Sequence, residues 1–167
     1  MAHEHNDAGE YEVQRLDATY DPRLQSAARL SEVFAIADEQ LQQNDLAGLC
    51  GTILSATMGV EGPSVGRLVG WVRDRLPEAN EGASRVIMTN VAMLGVEPSA
   101  KSTDCLQLAE AFAKKGEQAI SMHALFDVCF GIIQLVPPSE ARRLLGELEQ
   151  HTGRTGVIQD ASATIED

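Results

Sequence analysis

Residues 119–136 read AISMHALFDVCFGIIQLV, the longest apolar stretch of this 167-residue chain. The stretch approaches the length of a membrane-spanning helix. His123, Asp127 and Gln134 interrupt it, however, and a helix that faces lipid carries such side chains only at a high energetic cost. The three polar residues form one stripe on a helix that is otherwise apolar nearly all round. The pattern therefore predicts a central core helix over about residues 117–136 and no membrane insertion.

On both sides of this stretch, apolar residues recur three and four positions apart, and alternating strand-like runs are missing. The runs are separated by residues that start or stop helices. They are Asp21-Pro22, Asn44-Asp45, Pro63-Ser64, Pro77, Asn80, Gly95, Pro98, Gly116, Pro137-Pro138-Ser139 and Gly153. The sequence predicts an all-α fold of about seven antiparallel helices. The helix-opening prolines lie 41, 35 and 40 residues apart, which leaves two arrangements open: an irregular bundle and a short HEAT-like stack of αα-hairpins.

The charge is concentrated at the two ends of the chain. The net charge is -12, because 25 acidic residues face 13 basic ones. Residues 1–22 carry a net charge of -5 and residues 153–167 carry -2, and both ends are poor in periodic apolar residues. We therefore predict a disordered acidic tail over 1–21, a single helical domain over 22–152 and a flexible C-terminal tail over 153–167. A chain with this net negative charge repels the phosphate backbones of nucleic acids, which argues against nucleic-acid binding.

The first residues show no basic cluster followed by an apolar run, so we expect a cytoplasmic protein. Cys50, Cys105 and Cys129 are widely spaced among small and apolar residues, as is typical of reduced, buried thiols. His3 and His5 are able to bind metal ions, but removal of Met1 would shift His3 out of the position that Cu(II) and Ni(II) sites require. The sequence contains no nucleotide-binding, zinc-protease or serine-hydrolase motif. We expect neither a metal nor a cofactor.

Trp71 is the only tryptophan of the chain, and it lies one position away from the apolar stripe of its predicted helix. Two positions are open to it: the edge of the core, or an exposed anchor beside Arg67 and Arg75. Arg142 and Arg143 lie in the first turn of a helix, where basic residues do not complement the helix dipole, so we expect an acidic contact there. The predicted partner-binding residues are thus Trp71, Arg67, Arg75, Arg142 and Arg143.

Three functional hypotheses follow, in decreasing order of support. The first is a non-enzymatic helical protein-protein interaction module, such as a scaffold, an adaptor or a subunit of an assembly, which binds a protein partner or itself. Met58, Met88, Met93 and Met122 would supply adaptable contacts. The second is an acidic inhibitor, immunity protein or chaperone for a basic partner. The third is an enzyme that uses His123 and Asp127, which lie four positions apart on one helix face.

Overall fold

The computed structural model describes residues 19–25, 27, 29–97, 100–118 and 120–166. Over these residues the chain is an all-α bundle without a strand, which confirms the predicted fold class. Short 3-10 helices cover Pro22–Gln25, Leu76–Glu78 and Ala92–Val96. The eight α-helices of the described residues are α1 (Leu30–Gln43), α2 (Leu46–Gly59), α3 (Ser64–Arg75), α4 (Glu81–Val91), α5 (Ser102–Gly116), α6 (Met122–Leu135), α7 (Pro138–Thr152) and α8 (Thr155–Ser162).

Helix α6 is the predicted central helix, and five other elements pack against it. They are α4, α5, α7, α8 and the 3-10 helix Ala92–Val96. The side chains of Leu125, Val128, Cys129 and Ile132 are completely buried in these contacts. Gly131 allows α5 to come close, because a Cβ at this position would lie 2.5 Å from the ring of Phe112. The apolar residues on the buried side of α6 thus follow from its packing inside the protein.

Side-chain caps fix the starts of three helices. Asp45 accepts a hydrogen bond from the backbone N–H of Gly48 at the start of α2, over 3.0 Å. Asn80 caps α4 and Ser121 caps α6 in the same way. Such caps satisfy backbone N–H groups that have no partner within the helix. The boundary predicted at Asn44-Asp45 and the helix start near Asn80 are confirmed.

A buried lysine ties the C-terminal end of α5 to the turn between α3 and α4. Lys115 is 4% exposed, and its ammonium group donates hydrogen bonds to the carbonyl oxygens of Ala79 (2.7 Å) and Pro77 (3.3 Å). Gln118 donates a further hydrogen bond to Pro77. Burial lowers the pKa of Lys115, because removal from water disfavours its charged form. This lysine therefore links segments that lie 36 to 38 residues apart in the sequence.

The first helix differs from the prediction that it starts at Pro22. Residues Pro22–Gln25 form a separate 3-10 helix, and α1 begins only at Leu30. Arg23 binds the Asp21 carboxylate through its backbone and its guanidinium, and it also reaches Glu39 near the far end of α1, over 2.9 Å. This last contact requires the segment to fold back along α1, so it cannot be the first turn of the same helix.

The C-terminal segment also differs from the prediction of a flexible tail over 153–167. Residues Thr155–Ser162 form α8, which packs against α6 and α7. Ile158 and Ala161 are buried, with exposed fractions of 1% and 0%. Gly153 adopts a left-handed conformation (φ 69°) that ends α7 and redirects the chain. This short helix thus packs apolar side chains against α6 and α7, although it shows little periodicity in the sequence.

The prediction of a disordered tail over 1–21 lies mostly outside the described residues, which begin at Thr19. Whether the helices of this bundle are arranged irregularly or as a HEAT-like stack of αα-hairpins stays a prediction. None of the helices in the described residues is long and apolar enough to cross a membrane.

Gly95 and Gly146 offer a matched test of this packing. A Cβ on Gly95 would lie 2.0 Å from the carbonyl oxygen of Gln134 in α6, whereas a Cβ on Gly146 of α7 would meet nothing within 4 Å. The φ angle of Gly95 is not positive, so close approach to α6, and not a left-handed conformation that ends a helix, explains this glycine. We expect Gly95→Ala to lower the free energy of unfolding by about 1–3 kcal/mol.

Gly146→Ala should instead raise the free energy of unfolding by roughly 0.5–1 kcal/mol, because alanine favours a helix interior. Urea unfolding followed by circular dichroism measures both changes. Equal effects of the two substitutions would contradict the close contact between Gly95 and α6.

Candidate functional site

Three of the five predicted partner-binding residues line one open groove between α1 and α3. Its volume is about 440 Å³. Phe34 of α1 and Trp71 of α3 form its floor as a stacked pair, with ring centroids 5.6 Å apart. The remaining lining residues are Ser31, Ala35, Asp38, Arg67, Gly70, Asp74 and Arg75.

The Asp38 carboxylate connects the two walls of this groove. Its Oδ1 accepts hydrogen bonds from Trp71 Nε1 (3.0 Å) and Arg75 Nε (2.9 Å), and its Oδ2 accepts one from Arg75 Nη2 (2.9 Å). The Arg75 guanidinium also lies over the Trp71 ring, 5.4 Å from its centroid. A bidentate arginine-carboxylate pair that includes a cation-π contact fixes the geometry of all three side chains.

The structure places Trp71 at the edge of the core, one of the two positions that the sequence leaves open. Its exposed fraction is 4%, and its N–H group already has an acceptor. Arg75 is likewise engaged by Asp38, whereas Arg67 is exposed at the groove's rim. Partner binding by these residues stays a prediction. Of the three, only Arg67 presents its charged end to solvent without an ion pair among the described residues.

Arg142 and Arg143 lie on α7, away from the groove. Arg143 makes the acidic contact expected of it, but within its own helix: Nε lies 2.7 Å from Glu140 Oε1, and Nη1 lies 3.3 Å from Glu147 Oε2. The two carboxylates raise the pKa of Arg143. The structure therefore separates the five predicted residues into a groove set and an α7 pair.

His123 and Asp127 do not form the pair that their spacing suggests. Asp127 accepts a hydrogen bond from Arg85 Nε of α4 over 2.6 Å, and this ion pair fastens α4 to α6. His123 is exposed. Nearby, the backbone N–H of Ser121 donates to Glu81 over 3.0 Å, and this hydrogen bond is the main reason why the pKa of Glu81 is lowered. Within the polar stripe of α6, Asp127 thus connects two helices, whereas His123 and Gln134 are exposed.

Beside this polar stripe, α6 exposes an apolar ridge formed by Met122, Phe126 and Phe130. These residues are four positions apart, so they follow one face of the helix. Met122 is 54% exposed and Phe130 is 42% exposed. The rings of Phe126 and Phe130 are stacked, with centroids 5.8 Å apart. We call these three residues the α6 ridge.

Sequence reasoning identified Met122 as an available contact residue but did not identify the two phenylalanines. The two phenylalanines could have been inferred from the composition of this helix, which is apolar nearly all round. When one side of such a helix is buried, the opposite side must also expose apolar residues. Met88 is completely buried, whereas Met58 of α2 is 58% exposed.

The three cysteines are reduced in the structure, with Cys105 and Cys129 buried and Cys50 partly buried. Burial raises the pKa of Cys129 to about 12, and burial is also the main cause of the raised pKa of Cys105. Among the described residues, no group of three His, Cys, Asp or Glu side chains lies close enough together to hold a metal ion. His3 and His5 lie outside the described residues.

Comparison with known proteins gives no relative for this chain: no family model, curated protein or solved structure matches it.

The raised pKa of Cys129 predicts a loss of stability at alkaline pH. The pKa is 9.0 without burial and about 12 in the folded protein. Between these values the folded state binds more protons than the unfolded state, so the free energy of unfolding falls as pH rises. The complete shift corresponds to about 4 kcal/mol. Urea unfolding at a series of pH values above 9 measures this slope.

Cys129→Ala should make the alkaline slope shallower, although it removes buried atoms and lowers stability at neutral pH. Val128→Ala is the matched control and should keep the wild-type slope, because it also removes buried atoms from α6 but no titratable group. If the three proteins lose stability equally above pH 9, the titration of Cys129 does not control the effect.

Proposed function

We propose that this protein is a non-enzymatic helical interaction module, a scaffold, adaptor or subunit of an assembly, and that it binds a protein partner through the α6 ridge. The observation that carries this proposal is the exposure of Met122 and Phe130 beside the half-buried Phe126. Phenylalanine and methionine are enriched at protein interfaces, and methionine adapts its shape to different partners.

The α6 ridge is held in place by its surroundings before a partner binds, which supports its role as a preformed binding surface. Phe126 and Phe130 are stacked on each other, and the helix that carries them is anchored by five neighbouring elements. Little conformational entropy is therefore lost when the ridge is covered. Arg85 and Asp127 already form an ion pair beside the ridge. A partner can thus cover the apolar side chains without leaving either of these charges unpaired.

The charge of the chain restricts the chemistry of the partner. A net charge of -12 speeds the approach of basic proteins and slows the approach of acidic ones, while local charge pairs decide which surfaces fit. The surface that fits best is an apolar pocket with a neutral or basic rim. The engagement of Asp127 by Arg85 favours this function over acid-base catalysis, because His123 then lacks the carboxylate that would orient it.

The proposal is tested by placing a photo-crosslinking residue at position 130 of the full chain, in the cells that produce the protein. The matched control carries it at position 58, since Met58 is also an exposed apolar side chain but lies on α2. We expect one discrete crosslinked protein from position 130 and none from position 58, with mass spectrometry identifying the partner.

The identified partner is then titrated against purified variants by isothermal titration calorimetry. Phe130→Ala should weaken binding by about tenfold or more, as expected when an aromatic side chain that an interface covers is removed. Met58→Ala should leave binding unchanged. The same crosslinks from both positions, or full affinity of Phe130→Ala, would exclude the α6 ridge as the binding surface.

A further inference from the structure

The groove between α1 and α3 contains one charge that no described residue pairs and one that is paired only weakly. Arg75 is engaged by Asp38, as described above. Arg67, at one end of the groove, is exposed and forms no hydrogen bond or ion pair with any described residue. Asp74, at the other end, is 76% exposed in its side chain and lies 3.7 Å from Arg75 Nη1, its nearest cation. One unused basic group and one weakly used acidic group thus mark the two ends.

The spacing of these charges places them on one line along α3. Seven residues advance a helix by about 10.5 Å. They return to almost the same face, with a drift of about 20°. Arg67 and Asp74 therefore lie above each other, two turns apart, on the outer side of α3.

The surface between the two charges is low. Gly70 lies between them, and a Cβ on Gly70 would meet no described atom within 4 Å. Glycine disfavours a helix interior, and no described atom near this position requires it. Ser31 and Ala35, small and exposed residues of α1, line the opposite side of the groove. Another helix can therefore approach closely between the two charges.

We infer that a second copy of this chain docks on this surface, with the two α3 helices antiparallel about a two-fold axis near Gly70. In this arrangement Arg67 lies opposite Asp74 of the second copy, because the two positions are equally far from the axis. The symmetry repeats the contact, so both charges of both copies are paired. A two-fold interface must be complementary to itself, and a surface with one basic end, one acidic end and a low centre meets this condition.

This inference goes beyond the proposed function, because it concerns a different surface and does not depend on the α6 ridge. Charge complementarity favours a second copy over a highly charged partner. A strongly acidic segment would match Arg67 but would be repelled by Asp74, and a strongly basic one would have the opposite difficulty.

Sedimentation equilibrium of the full chain, from low to high micromolar concentrations, tests the inference. The wild type should form a dimer. Arg67→Glu and Asp74→Arg should each weaken dimerisation on the order of tenfold or more, since each reversal creates two like-charge contacts in one interface. An equal mixture of the two variants should form a heterodimer of about wild-type strength, because Glu then faces Arg at one contact and Arg faces Asp at the other.

Two control variants carry the same charge changes outside the proposed interface. Arg73→Glu changes a side chain of α3 that points towards Gln107 of α5, and Asp160→Arg changes an exposed residue of α8. Both should dimerise within about twofold of the wild type, as expected for changes that lie outside the contact. Circular dichroism confirms that each variant is folded, and Arg67→Gln and Asp74→Asn replace any reversal that is not.

A wild type that stays monomeric overturns the inference. So does a dimer that is insensitive to both reversals, or a mixture that fails to restore dimerisation. In each case the crosslinks from position 130 still decide on the proposed function, so the two proposals can fail separately.

Discussion

The packing around α6 is the constraint on which the positions of the other elements depend. Four helices and the 3-10 helix Ala92–Val96 contact it, and Leu125, Val128, Cys129 and Ile132 have no exposed surface. Two glycines allow this close packing, Gly131 beside Phe112 and Gly95 beside the backbone of Gln134. Protein interiors are closely packed, so neighbouring side chains have little room to shift when one of them changes. A change in α6 therefore affects all of its neighbours.

The exposed side of α6 follows from the same composition. In its polar stripe, Asp127 forms an ion pair with Arg85 of α4, while His123 and Gln134 face solvent. The α6 ridge lies beside this stripe and is a rigid apolar surface whose contact with water is energetically unfavourable.

The groove between α1 and α3 has a different origin. There the helices meet through the long side chains of Phe34, Trp71 and Arg75, and a space stays open between their backbones.

Local signals predicted most of the fold, because a helix and its caps depend on neighbouring residues. Asp45 and Asn80 mark helix starts because their own side chains accept hydrogen bonds from the first turn. The failures concern long-range contacts: Arg23 reaches Glu39, and Ile158 is buried by helices that precede it. The groove between α1 and α3 was predicted only in part, because spacing shows which residues of one helix are neighbours but does not show contacts between helices. Spacing placed Arg67 and Arg75 near Trp71, but it could not show that Asp38, 33 residues earlier, accepts the indole N–H.

Native-state hydrogen exchange tests the central role of α6 most directly. Amides at the core of a fold exchange only when the whole protein unfolds, whereas peripheral elements open locally. The amides of residues 125–132 should therefore exchange with a free energy equal to that of global unfolding, as measured with urea. The amides of α1 and α8 should exchange at lower free energies. If α6 opens at a lower free energy than α1, the fold is not built around this helix.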